Sequence, residues 1–371
     1  MITVLLLLLS LGFTVVASDA NTCWLKVEPN SVFTVNGLGW YNQNNGSFCR
    51  LPLSREKEIA AANPSTWRLS QCPVDARIRF KTDSSQLKLR ITPGNDESSR
   101  FDMWHMSSVA VSGIDLYIGA PGNQDFWLNT HPKKGSDICD HVFFEKKVCQ
   151  MREFTLYLPS YTNIKALEIG LDPNAMISAP SDYKHKKPIV IYGTSITQGG
   201  CASRCSNSFI GITGRRLNSD VINLGFSGSG NGDELLAELM SQLDASVYIV
   251  DPLANMNEYM HRYEKFVNIL RSRHPEIPIV LMTEIHFAYE IDDQLESAKK
   301  YGLKHKILFE TYHKLKESGD KNVYVFDAGA IIKAGGDHPT VDGSHLTDAG
   351  FYAIAEKLAP LLENIIKSTG K

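Results

Sequence analysis

The sequence predicts an α/β protein in two parts: a parallel sheet covered by helices on both faces, preceded by a β-sandwich-like domain. Three observations carry this reading. From about Cys23 to Asp172 apolar and polar residues alternate with period two. After residue 188, short continuous apolar runs alternate with amphipathic helical stretches. Between the two rhythms lies a charged segment, Asp182 to Pro188. A chain of 371 residues has room for both parts.

The period-two half is clearest at Arg77-Ile78-Arg79-Phe80-Lys81, Leu87-Lys88-Leu89-Arg90-Ile91 and Phe154-Thr155-Leu156-Tyr157-Leu158. Each alternates as a half-buried strand does, and turn clusters such as Thr92-Pro93-Gly94-Asn95-Asp96 separate them. Nothing there reads as a long amphipathic helix. In the second half the strand candidates are Ile189 to Tyr192, Val221 to Leu224, Val247 to Val250, Ile277 to Met282 and Val323 to Phe326. Helices are expected near Ser206 to Leu217, Asp233 to Leu243, Tyr259 to Arg273, Gln294 to Lys316 and Thr347 to Ile366. The domains are therefore placed at 22–181 and 186–371.

Apolar residues make up 43% and charged residues 21%, so a sizeable core can form. A net charge of −3 and the lack of any basic stripe argue against a nucleic-acid partner. Residues 1–17 are almost wholly apolar, with Val15 and Ala17 at the −3 and −1 places of a signal-peptide cleavage site; a cut after Ala20 is the alternative. That run is too short for a stable membrane span, and no other segment is long and apolar enough. The expectation is a secreted, extracellular protein. Asn45-Gly46-Ser47 is an N-glycosylation acceptor in keeping with it.

Seven cysteines follow the leader, an odd number that leaves one thiol without an intrachain partner if the rest pair. Cys201 and Cys205, close together in a turn-rich segment, are the expected disulfide, and Cys139 with Cys149 is a candidate hairpin clip. There is no Cys-x-x-Cys and no His-Glu-x-x-His, so neither a metal nor any other cofactor is expected. No signal of oligomeric state is present.

Ligands of parallel α/β sheets bind at the carboxyl ends of the strands, so the residues just past each run are the informative ones. After the first comes Gly193-Thr194-Ser195-Ile196-Thr197-Gln198-Gly199-Gly200. A serine there can present its hydroxyl to solvent with helix-start N–H groups nearby, or can simply cap the next helix. It lacks the Gly-x-Ser-x-Gly elbow, and the glycine spacing does not fit a phosphate loop. After the second run, Asn223-Leu224-Gly225-Phe226-Ser227-Gly228 lets a backbone N–H of Gly228 approach a reacting atom. The third ends Asp251-Pro252-Leu253-Ala254-Asn255-Met256-Asn257, where an asparagine amide can donate to an oxyanion. After the last run comes Asp342-Gly343-Ser344-His345, an Asp and a His spaced to touch on one turn. The same spacing recurs at Asp102/His105 and Asp182/His185, in the β-rich half and the linker, and these are read as surface pairs. Glu258/His261 and Glu310/His313 are read as solvated helix faces.

Taken together, these blocks form an acyl-transfer site: Ser195 as nucleophile, His345 as base, Asp342 as its orienter, Gly228 and an asparagine as oxyanion donors. Their order along the chain resembles the SGNH (GDSL-type) hydrolase family over residues 186 to 371. Gly113-Ile114-Asp115-Leu116-Tyr117 is similar to the Gly-x-Asp-Leu-Tyr signature of the β-rich domain that precedes one branch of these esterases. The resemblance implies a three-layer α/β/α fold and hydrolysis of small O-acyl esters, acetyl first among them, often on carbohydrates. By position it assigns Ser195 as nucleophile, the N–H groups of Ser195 and Gly228 and the side chain of Asn255 as the oxyanion hole, and Asp342 with His345 as the final motif. Thr194 stands where the common motif has Asp. The third block lacks Gly-x-Asn-Asp, so Asn257 stays open as the alternative to Asn255. The expected partner is a small-molecule or glycan ester. An O-acyltransferase on the same fold, or a non-catalytic binding or matrix protein, are the rival readings.

Overall fold

A computed structural model describes residues 21–94, 103–130 and 139–370, the side chain of Cys139 excepted. The leader, residues 1–17, and Asp102 lie outside the described residues. The first half contains β1 (Cys23–Lys26), β2 (Thr34–Asn36), the short helices α1 (Glu56–Ala62) and α2 (Pro64–Ser70), β3 (Arg77–Thr82), β4 (Leu87–Pro93), α3 (Ser108–Ser112), β5 (Asp115–Ile118), β6 (Asp125–Asn129), β7 (Cys139–Phe144), β8 (Arg152–Tyr157), β9 (Ile164–Leu171) and β10 (Ile177–Ser178). These strands form two antiparallel sheets, one ordered β1-β9-β4-β7 and one β10-β3-β8-β5-β6 with β2 beside β3. Alternation puts Ile78 and Phe80 of β3, Leu87 and Leu89 of β4, and Phe154 and Leu156 of β8 into one core shared by both sheets. The expected sandwich is what this half forms.

The second half runs β11 (His185–Gly193), α4 (Phe209–Leu217), β12 (Ser219–Gly225), α5 (Glu234–Met240), β13 (Val247–Asp251), α6 (Tyr263–Arg273), β14 (Ile279–Met282), α7 (Glu296–Glu317), β15 (Val323–Phe326) and α8 (Asp348–Thr369). Its five strands are parallel in the order β12-β11-β13-β14-β15. Successive residues of β11 face opposite layers. Ile189 and Ile191 pack with α4 and α8, whereas Val190 and Tyr192 pack with α5, α6 and α7. The result is three layers, helices on both sides of a fully buried sheet.

Two details differ from the sequence reading. The segment expected to be a flexible linker already belongs to β11 from His185, which pairs with Ser219 across a register shift. His185 is buried, and its Nε2 lies 3.1 Å from Glu363 Oε2 of α8. It is therefore not a surface partner of Asp182. In addition, residues of the first half, Trp40, Leu51, Ile59 and Leu69, join the core on the α5–α6–α7 face of the parallel sheet. The segment carrying α1 and α2 thus straps across the other half.

Candidate active site

Ser195 leaves the central strand β11 at its carboxyl end. The residues after it form a continuous turn over 195–201 rather than a helix start. Three backbone bonds close that turn: Gln198 N–H to Thr194 O at 2.9 Å, Gly199 N–H to Ile196 O at 3.0 Å and Gly200 N–H to Ser195 O at 2.8 Å. Thr194, in the place of the common Asp, is buried and accepts the Ile196 N–H on its own hydroxyl at 3.3 Å. Thr197 accepts the Thr194 N–H at 3.0 Å and donates to Asp251 Oδ2 at 2.6 Å. The turn passes so close to the strand that a Cβ on Gly193 would lie 2.0 Å from Thr197 Oγ1, so glycine is required there.

Asp342 and His345 sit in the connection between β15 and α8. The Val341 N–H donates to His345 O at 2.8 Å, and Thr340 pairs with Leu346, which closes a small loop. Asp342 Oδ1 accepts the Ser344 N–H at 3.0 Å and the His345 N–H at 2.8 Å. Its Oδ2 lies 2.7 Å from His345 Nδ1. On the other side of the ring, His345 Nε2 lies 2.9 Å from Ser195 Oγ. Partial burial raises the Asp342 carboxyl, but the hydrogen bonds from His345 and Ser344 outweigh it and hold the group well below the usual carboxylate range. Asp342 is thus a lasting anion behind the imidazole. Asp348, opening α8, accepts from Ser203 N–H at 2.8 Å and from Asn207 Nδ2 at 2.8 Å, which ties the His345 loop to the Ser195 loop.

The remaining candidates lie at the ends of the flanking strands. After β12, Gly228 has φ +69, and a Cβ there would meet nothing within 4 Å. Phe226 N–H donates to Gly193 O at 3.0 Å, which locks this loop to the end of β11. After β13, Asn255 Nδ2 is buried without a hydrogen-bond partner among the described residues, whereas Asn257 is exposed. Among the described residues the N–H groups of Ser195 and Gly228 likewise bond to no protein acceptor. Three donors without protein acceptors therefore stand after three adjacent strands.

Several residues to which the sequence reading gave no part in this site belong to it. Gln198, fully buried, donates to Ser160 O of the β-rich half at 2.9 Å and accepts the Ser227 N–H at 2.9 Å, so it holds the Gly228 loop. The expected partner of His105, Asp102, lies outside the described residues, and His105 itself is half-buried. Its ring centroid lies 5.4 Å from that of His345, and its Nδ1 is buried with no partner among the described residues. Burial, then the neighbouring His345, push its pKa down. Trp104, 82% exposed, flanks it at 5.0 Å. In the Gly-x-Asp-Leu-Tyr segment, Asp115 Oδ2 accepts the Ser206 N–H at 3.0 Å and Tyr117 Oη lies 3.0 Å from Ser206 Oγ, so the motif clamps the loop that follows Ser195.

The expected Cys201–Cys205 disulfide is absent; both are free thiols. They face different surroundings: Cys201 lies among His105, Asp342 and His345, while Cys205 is buried against Tyr117 and Tyr157 of the β-rich half, its Sγ 3.4 Å from Tyr157 O. Cys149 is an exposed free thiol, and the side chain of Cys139 lies outside the described residues. Asn45 is exposed in a turn remote in sequence from these loops, and Glu258, His261, Glu310 and His313 are exposed as expected. Among the described residues no helix is long and apolar enough to cross a membrane.

Residues 186–363 match the GDSL-like Lipase/Acylhydrolase family, and residues 22–177 match GxDLY, the N-terminus of SGNH-hydrolase-type esterases. Among solved structures, a protein of Bacteroides ovatus described as a GDSL-like lipase is 27% identical with a TM-score of 0.81, covering 93% of this chain and 98% of that one. The salicylyl-acyltransferase SsfX3 from a tetracycline biosynthetic pathway is 19% identical at a TM-score of 0.70, covering 91% and 97%. A family two carbohydrate esterase from Cellvibrio japonicus is 15% identical at 0.58, covering 93% and 99%. The last two likenesses are of fold alone. Among the curated proteins none matches the chain. Matched in both halves and in this order, the chain belongs to the SGNH (GDSL-type) esterase family, in the branch that carries an N-terminal GxDLY domain.

Proposed function

We propose that this protein is a secreted serine esterase that removes small O-acyl groups, acetyl above all, from a carbohydrate or another small polar alcohol. The observation that carries the proposal is the 2.9 Å contact between Ser195 Oγ and His345 Nε2, with Asp342 2.7 Å behind the same ring. In this reading Ser195 gives its proton to His345 as it attacks the acyl carbon. The resulting oxyanion takes hydrogen bonds from the N–H groups of Ser195 and Gly228 and from Asn255 Nδ2. His345 then protonates the leaving alkoxide, and the acyl-enzyme is hydrolysed by a water that the same ring deprotonates. Asp342 keeps the ring in the tautomer that accepts at Nε2 and offsets the charge of the imidazolium.

Ser195→Ala is expected to lower hydrolysis of a chromogenic acetyl ester by about four orders of magnitude or more while leaving the circular dichroism spectrum unchanged. Turnover close to the parent rate would refute the assignment. Transfer to an alcohol uses the same base as transfer to water, so product analysis with and without a sugar acceptor separates esterase from acyltransferase. A protein with an inert serine, in contrast, would escape a fluorophosphonate probe. For secretion the support is the apolar leader and the acceptor Asn45-Gly46-Ser47, whose Asn45 is exposed. Protein recovered from the medium of secretory cells should begin after residue 17 or 20 and shift on deglycosylation, and retention in the cytosol with Met1 intact would contradict it.

A further inference from the structure

We infer that this site takes up a soft divalent cation such as Zn2+, held by His105, Cys201 and His345, and that the bound cation switches the esterase off. Neither ligand beyond His345 is used by the reaction proposed above, and no contiguous metal motif joins them. The fold brings them together from three separate segments. One ligand atom each from His105, Cys201, Asp342 and His345 lies within 4.8 Å of the others. In a tetrahedral zinc site with bonds of about 2.0–2.3 Å, ligand atoms stand roughly 3.5 Å apart, so side-chain shifts of about an ångström suffice. The set is also right chemically. A thiolate and two imidazoles suit zinc, whereas magnesium and calcium prefer all-oxygen ligands.

Two features make the cluster more than an accident of a crowded cleft. His105 Nδ1 is buried and has no hydrogen-bond partner among the described residues, although an unpaired buried imidazole nitrogen is costly. Cys201 is 7% exposed, and its thiol lies within 4.8 Å of a ring nitrogen of each histidine. On binding, the Cys201 thiol loses its proton to solvent and becomes the anionic ligand. Inhibition follows from His345. Its Nε2 serves Ser195 and its Nδ1 serves Asp342, so a cation on either nitrogen breaks the proton path.

The inhibition arm of the test rests on the proposed esterase activity; the spectroscopic arm does not. In the first, Zn2+ is titrated against ester hydrolysis. The expected result is inhibition that a chelator reverses and that Mg2+ does not reproduce. His105→Ala and Cys201→Ser should each raise the zinc concentration that halves the rate at least about tenfold, every variant being scaled to its own metal-free rate. In the second arm, Co2+ is added to Ser195→Ala protein. A thiolate-to-cobalt charge-transfer band should appear, and it should vanish in the Ser195→Ala/Cys201→Ser double variant. Zinc sensitivity unchanged in both single variants, or a cobalt band that survives loss of Cys201, overturns the inference. Should Cys201→Ser fail to fold, loss of four-coordinate ligand-field bands in Ser195→Ala/His105→Ala decides in its place. A chain that hydrolyses no ester but shows the Cys201-dependent band refutes the esterase reading and leaves the cation site standing.

Discussion

Asn255 and Asn257 stand two residues apart after β13, and only their surroundings tell them apart. The buried, unpartnered amide of Asn255 carries a desolvation cost that an oxyanion would relieve, while Asn257 is already solvated. Asn255→Ala should lower kcat by about 10²–10³ with KM little changed, and Asn257→Ala should leave both constants where they were; a steady-state comparison of the two variants checks this. Ser195, Asp342 and His345 were legible because each follows a recognisable strand of a parallel sheet, where position alone implies a rim. His105 was not legible. It lies in the β-rich half, and no local spacing connects it to His345. The run Met103-Trp104-His105-Met106, apolar and aromatic yet between two strands, was the one hint available.

At the scale of elements, the helices of the second half lie within a few residues of their expected bounds, since long amphipathic periods resist misreading. The segment after β11 was expected to lead toward the helix near Ser206, with helix-start N–H groups beside Ser195. Its glycines and the Thr194–Thr197 side-chain bonds wind 195–201 into a tight turn instead. The anchor of that turn, Asp251 at the end of β13, is pushed up to about 8, chiefly by burial and further by Glu284. Its folded pKa thus exceeds the ordinary value of 3.8. Between about pH 4 and 8 the folded chain holds a proton that the unfolded chain has lost, so Asp251 makes stability fall as pH rises through that window. Asp251→Asn should flatten this slope. Urea unfolding midpoints at several pH values would reveal it, and a slope identical to the parent's would show that Asp251 is not the group responsible.

For the whole molecule, the two halves were legible as separate rhythms, but their interlock was not. Arg50 is the clearest case. Fully buried, it donates to Asn223 O at 2.9 Å and Gly225 O at 2.7 Å in β12, and to Cys72 O and Leu69 O at 2.8 and 2.9 Å on its own side. Its hydrogen-bond partners are neutral backbone carbonyls, and burial pushes its pKa down to about 10. Nothing in a sequence marks an arginine that will pair with carbonyls from another domain, because the acceptors are common to every residue. Arg50→Met strands four buried acceptors and should cost about 3 kcal/mol or more, read as a lower urea midpoint at unchanged m-value. It should also reduce kcat, because β12 leads directly into the Gly228 loop.

Arg50 and its acceptors in β12 are separated by 173 and 175 residues of chain. During synthesis the strap that carries Trp40, Leu51 and Ile59 emerges long before the sheet it covers, and must wait with those side chains uncovered. Contacts this remote along the polypeptide close late and slowly, so the nascent chain offers a greasy, unfinished surface to chaperones for most of its translation.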